Sequence, residues 1–265
     1  MGIRGVAIGY VLSKFALSVI SLLYLGHLLK IDWDRFIKRE TYREMIRPIF
    51  RIGGWTGADS LTRNLGYMGT LIVLNMIGVN QFGGYGLAMW LMWTLLIPVL
   101  ALAEATAVVV GNYYGRNRYE DMLKVVQSSI FITVLFMCGL GLIGILSWVK
   151  ISQFFNQNPD IVTFSALTFW WLMFPYVLLA VGLVIKSLFI GTGNTRYILF
   201  ISLVSNICIV GPFITLVRAG VIVATYNNVM IQFFIVFVID LIVTMFFANR
   251  VIKMITGRPI IATRI

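Results

Sequence analysis

Residues 189–216 read FIGTGNTRYILFISLVSNICIVGPFITL. Two apolar runs, about 162–190 and 197–217, meet here across the short polar segment that ends at Arg196. A connection this short has to be a tight turn, and Gly191 and Gly193 supply the backbone freedom for one. Each run reaches the roughly 20 residues that a helix needs to cross the hydrocarbon core. Barrel strands would be much shorter and would alternate strictly. The stretch therefore reads as a membrane helical hairpin, with Arg196 placed to anchor the turn to lipid phosphates.

The same pattern continues in both directions. Seven stretches qualify as spans: about 5–29, 53–77, 84–111, 125–149, 162–190, 197–217 and 225–248. Apolar residues make up 60% of the chain and charged residues 12%, with a mean hydropathy of +0.93. A soluble domain carries about 25% charged residues. The expected fold is an all-α polytopic membrane bundle. A formal charge of +11 would suggest nucleic acid in a soluble protein. Here the basic residues cluster between apolar runs, so the partner they imply is the lipid bilayer.

Those clusters give an orientation. Segment 30–51 holds seven basic against four acidic residues, and further bases are Arg116, Arg118 and Lys124, then Lys186 and Arg196. The last are Arg250, Lys253, Arg258 and Arg264. The alternate linkers offer only Lys150 and Arg218. The positive-inside rule then puts the N-terminus outside and the C-terminus in the cytoplasm of a plasma (inner) membrane protein. Cys138 and Cys208 lie in apolar runs and are expected to be small buried residues. His27, at the end of the first run, is read as interfacial. Neither a metal nor a cofactor is expected.

The first run contains Arg4 and Lys14, is too long for a signal-peptide core and lacks a small-x-small cleavage pattern, so it reads as a span. In segment 30–51, Trp33, Phe36 and Ile37, then Met45, Ile46, Ile49 and Phe50, recur at helical spacing against a charged face. Two readings stay open: amphipathic helices on an anionic leaflet, or a solvated hinge. The predicted organisation is a single span over 1–29, a linker over 30–51, a six-helix lobe over 52–249 and a basic tail over 250–265.

An internal echo links the first and last spans, where Gly5-Val6-Ala7-Ile8 is matched by Gly220-Val221-Ile222-Val223-Ala224. Parallel repeats of this sort are one transporter plan. In ALAEATAVVVGNYYGRNRYEDMLKVV (101–126), a run of small residues leads to Gly111-Asn112 and Gly115-Arg116. Gly191, Gly193, Asn194, Thr195 and Arg196 are followed by Ser205-Asn206 and Pro212, and QFGGYGLAM (81–89) forms an earlier turn. Together these motifs resemble the MATE (multidrug and toxic compound extrusion) family. The resemblance implies twelve helices in two six-helix lobes, with residues 53–248 matching the second lobe. Residues 30–51 then match the bridge and 1–29 only the last helix of the first lobe. On that reading the chain is truncated, and Met1 is an internal methionine or an accidental start.

Ionisable groups inside spans cost about 2.5–3.5 kcal/mol each, so they are functional candidates. From the second span onward they are Asp59 and Arg63 (an i,i+4 pair), Glu104, Lys186 and Asp240. In one reading an acid among Asp59, Glu104 and Asp240 takes H⁺ or Na⁺. In the other, Asp59–Arg63 and Asp240–Lys186 neutralise one another and seal the cytoplasmic side. Glu104 has no partner on its own helix and is the leading ion candidate. Asn64, Asn75 and Asn206 could line a polar cavity or join helices. Trp90, Trp93, Trp170, Trp171 and Tyr176 could hold organic cations or serve as packing and belt residues. The chain departs from the family where Trp55 replaces a common proline, and where Arg63 stands in place of the sodium-coupled branch's acid.

The resemblance implies a secondary active transporter that exports small amphipathic organic cations against H⁺ or Na⁺. A lipid-linked oligosaccharide flippase of the same superfamily is the near alternative. An inactive fragment, or a half-transporter completed by a missing N-terminal lobe or a second copy, is another. A retinal protein would need a lysine in its last span, and that span carries Asp240. No nucleotide-binding motif or nucleophile–base constellation supports an enzyme.

Overall fold

The computed structural model describes residues 2–28 and 39–257, and every element among them is helical. The chain divides into two compact units, Met1–Phe50 and Arg51–Ile265. In the first, α1 (Gly2–Leu28) is apolar nearly throughout and exposes Ile8, Val11, Phe15 and Leu22. Its Lys14 ammonium lies 5.6 Å from the centroid of the Tyr10 ring. This is a cation–π contact that partly offsets a charge within an apolar helix.

The remaining elements are α2 (Arg39–Ile77), α3 (Val79–Gly115), α4 (Tyr119–Phe155), α5 (Pro159–Gly191), α6 (Arg196–Arg218) and α7 (Tyr226–Thr256). α2 is one uninterrupted helix that begins within the stretch expected to be linker. The amphipathic face expected over 30–51 lies largely outside the described side chains, as do Arg258 and Arg264. α6 is wound as α over Arg196–Ser202, as π over Leu203–Val210, and as α again over Gly211–Arg218.

Local chemistry sets the ends. Asn158 caps α5 by accepting from the Asp160 amide at 3.0 Å, and Pro159 occupies the first turn, where its missing N–H costs nothing. Thr225 caps α7 in the same way. α3, α5 and α6 each close with paired reverse hydrogen bonds around a left-handed residue, at Asn117, Gly193 and Gly220. The first of these turns therefore uses an asparagine rather than a glycine. Gly111 and Gly115 belong to α3 itself.

Successive helices run antiparallel. One end of the bundle collects the turns at 116–118 and 192–195 and the close of α7. The opposite end collects Gly78, 156–158 and 219–225. α5 is central and packs against α3, α4 and α7. Two apolar cores form, one around Tyr85, Leu96, Leu172 and Met230, the other around Met122, Leu188, Phe189 and Ile201 near the Gly193 end.

Small residues make the closest approaches. A Cβ on Gly191 would sit 2.6 Å from the Ala107 carbonyl oxygen and 2.8 Å from Val110 Cβ. One on Gly84 would sit 2.9 Å from the Ile161 oxygen. α3 and α5 thus touch through glycine at both ends of their crossing, as expected where packing replaces the hydrophobic effect.

Among the described residues five helices, α3 to α7, are long and apolar enough to cross a membrane, and α1 adds the shorter apolar stretch Ile8–Tyr24. The seven expected spans are thus an approximate count, because α2 is helical over 53–77 but carries Asp59, Arg63 and five glycines there. Both cysteines are free and exposed. This corrects the expectation that they are buried: apolar side chains in a membrane bundle also cover the outer face, which meets lipid rather than water.

Adding a methyl group at Gly191 should force α3 from α5. Gly191→Ala is expected to cost about 1–3 kcal/mol of unfolding free energy in detergent micelles. Gly115→Ala, with no neighbour within 4 Å, should leave the same unfolding transition unchanged.

Candidate functional site

Between the two apolar cores lies a polar tier. Lys186 on α5 and Asp240 on α7 are 4% and 7% exposed. The Lys186 ammonium donates to both carboxylate oxygens, at 2.7 Å to Oδ2 and 3.0 Å to Oδ1. On α6 the Ser205 hydroxyl has Asp240 Oδ1 at 3.3 Å and the Ile201 carbonyl at 2.9 Å, and its single proton serves one of them at a time.

The second carboxylate, Asp59 on α2, is 2% exposed. Arg63, one turn on, donates to its Oδ2 at 2.5 Å, and Ser202 of α6 donates to its Oδ1. Arg63 itself is 44% exposed on its side chain. Asn206 donates to the Ser202 carbonyl at 3.0 Å, and its amide oxygen would lie 2.5 Å from a Cβ on Gly66. Four helices are thereby tied at one level: α2 to α6 through Asp59 and Ser202, and α6 to α7 and α5 through Ser205, Asp240 and Lys186. Thr106 and Ser129 add a buried hydroxyl pair at 2.8 Å between α3 and α4.

The π-helical stretch of α6 begins just after Ser202 and contains Ser205 and Asn206. Sequence reasoning named Asn206, Asp59, Arg63, Lys186 and Asp240, and the structure gathers them here. It missed Ser202, whose signal was the run of hydroxyl and amide side chains at 202, 205 and 206 in an otherwise apolar span. A groove of about 200 Å³ opens beside the tier between α2 and α6, lined by Thr62, Leu65, Gly66, Asn206, Val210 and Ile214.

Glu104 lies elsewhere. It is exposed on α3, on the same face as Trp90 (76% exposed) and Ile97, at a spacing of seven residues. Among the described residues it makes no hydrogen bond or ion pair. Asn64 is also exposed and donates to the Ser60 carbonyl at 2.8 Å. The aromatic candidates divide as well. Trp93 and Trp170 are exposed, whereas Tyr176 is buried edge-on to Phe237 at 6.0 Å.

Nearer the Gly78 end is a second polar group, of which the sequence singled out only Tyr176. The Tyr85 and Tyr176 hydroxyls and both ends of the Gln232 amide are buried without a hydrogen-bond partner among the described residues. Tyr85 stacks on Phe233 at 5.5 Å.

The tier holds charge inside an apolar bundle, and the class it defines is a polytopic membrane protein whose helices are joined through a buried ion pair and hydrogen bonds to buried carboxylates. The family model MatE matches residues 57–216, more than half of the chain, and the protein belongs to that family of transporters. A curated relative, the probable multidrug resistance protein NorM of Thermotoga maritima, is 24% identical over 215 residues. That match covers 77% of this chain and 44% of the relative.

An outward-facing multidrug resistance MATE family transporter of the MOP superfamily superposes with a TM-score of 0.77 at 19% identity. It covers 90% of this chain and 54% of that one. A MOP superfamily transporter from Pyrococcus furiosus, described as having a binding pocket of reversed polarity, gives 0.76 at 20% identity, over 89% and 54%. This chain therefore spans about half the length of the proteins it matches.

Removing the Ser202 hydroxyl should leave Asp59 with Arg63 alone. Ser202→Ala is expected to lower unfolding free energy by about 1.5–3 kcal/mol, the usual worth of a hydrogen bond to a charged group. Chemical denaturation in mixed micelles measures it.

Proposed function

We propose that this chain forms one lobe of a secondary transporter that exports small amphipathic organic cations in exchange for H⁺ or Na⁺. It works opposite a second lobe, supplied by further chain or by a second copy. Transport by such a lobe pair is alternating access and involves no covalent chemistry. Family membership and the NorM relative support the substrate class.

The observation that carries the reading is Glu104. A carboxylate on the apolar outer face of a membrane helix is costly against lipid, so such groups face protein or a water-filled cavity. The α3 stripe of Trp90, Ile97 and Glu104 is accordingly the wall that the second lobe covers. Asp59 and Asp240 already have basic partners, whereas Glu104 has none among the described residues. It is the acid that accepts the coupling ion. Trp90 and Trp93, about four and three turns along the same helix, offer ring faces to an organic cation.

Orientation follows from charge. Arg116, Arg118, Lys124, Arg196, Arg250 and Lys253 all fall at the Gly193 end of the bundle, and Lys150 and Arg218 at the other. We place the first end in the cytoplasm of the plasma (inner) membrane.

Everted membrane vesicles from cells expressing the protein in its native context should accumulate ethidium when H⁺ or Na⁺ is more concentrated inside. Nigericin or monensin should abolish that uptake. Accumulation indifferent to both gradients would contradict antiport. In the same vesicles Glu104→Gln should cut gradient-driven uptake at least about tenfold at unchanged protein level, since the amide cannot carry the ion's charge. Undiminished uptake would assign Glu104 a structural role.

A further inference from the structure

The Lys186–Asp240 pair has features that a simple helix clamp does not need. Lys186 Nζ lies against both carboxylate oxygens, and the Ser205 hydroxyl converges on the same carboxylate from a third helix. Gly182, one turn before Lys186, flanks the same carboxylate: a Cβ there would lie in ordinary van der Waals contact with Asp240 Oδ2, at 3.5 Å. The third ammonium proton meets no acceptor among the described residues. Two carboxylate oxygens of α7, with the Ser205 hydroxyl of α6 beside one of them at 3.3 Å, make a buried oxygen donor set suited to a hard monovalent cation. The side chain of α5 reaches in to supply that cation.

We propose that Lys186 is the resident, tethered cation of a monovalent-cation site formed by Asp240 and Ser205, and that removing its charge opens the site to Na⁺ or K⁺ from solution. In the intact chain the ammonium ties α5, α6 and α7 together without drawing an ion from the medium. A buried carboxylate whose partner is covalently held stays neutralised at any external salt concentration, whereas one served by a dissolved ion follows mass action. The inference concerns binding and stability, and it stands whether or not the chain moves a substrate.

The test is thermal unfolding of the full chain in detergent, at matched ionic strength, in choline, sodium, potassium or methylammonium chloride. The wild-type midpoint should be the same in all four. Lys186→Ala should melt lower in choline and recover by roughly 5 °C in sodium, potassium or methylammonium. Lys186→Ala/Asp240→Asn should lose the discrimination.

If Lys186→Ala cannot be purified in choline, obtaining it folded in one of the small cations supports the site, and failure in all four overturns it. A folded Lys186→Ala that melts alike in every salt also overturns it. So does a double variant that still responds to sodium, because the ion would then bind elsewhere.

Discussion

A carboxylate inside an apolar bundle must be neutralised or not ionise at all, and two are buried among the described residues. Asp59 and Asp240 sit between the two apolar cores at nearly the same level, each held by a base and by a serine of α6. Burying such pairs costs desolvation that their attraction barely repays, so their worth lies in what they specify rather than in net stability. Here they specify which helices meet and in what register. The Gly191 and Gly84 contacts bring α3 and α5 together, but apolar packing alone could slide. The Lys186–Asp240 pair and the hydrogen bonds of Ser202 and Ser205 to the two carboxylates cannot slide without leaving a buried charge short of a partner.

The tier also gives α6 its character. A π-helical stretch is a strained winding usually kept for a reason, and this one begins just after Ser202, which faces Asp59, and contains Ser205, which faces Asp240. Helix, hydroxyls and carboxylates form one unit, and a change in the charge of either acid would be felt first at α6. Glu104 plays the complementary part. It lies outside the tier on a face whose apolar neighbours are exposed, the face that the proposed function assigns to a second lobe.

Much of this was legible in the sequence. Hydropathy and the short Gly191–Arg196 turn define a helical membrane bundle, because length and continuity of apolar residues leave few alternatives. Asp59–Arg63 follows from i,i+4 spacing on one helix. Other features depend on tertiary contact and carry no local signal. Gly191 looks like a turn residue, yet its lack of a side chain is spent on the Ala107 backbone. Cys138 and Cys208 look like core and lie on the outer face, since hydropathy cannot separate lipid-facing from buried positions in a membrane helix. Ser202 is one hydroxyl in an apolar run until α2 brings Asp59 against it. The buried Tyr85, Tyr176 and Gln232 groups come from three separate helices, and no spacing joins them.

The claim that the paired charges, rather than apolar packing, fix this lobe is tested most directly by a double-mutant cycle on Lys186 and Asp240. Unfolding free energies of wild type, Lys186→Met, Asp240→Leu and the double variant would be measured in choline chloride. Each single change should be strongly destabilising, and the double variant should recover at least about 2 kcal/mol of the summed loss, because it leaves no unpaired buried charge. Losses that add to within about 0.5 kcal/mol would contradict the account.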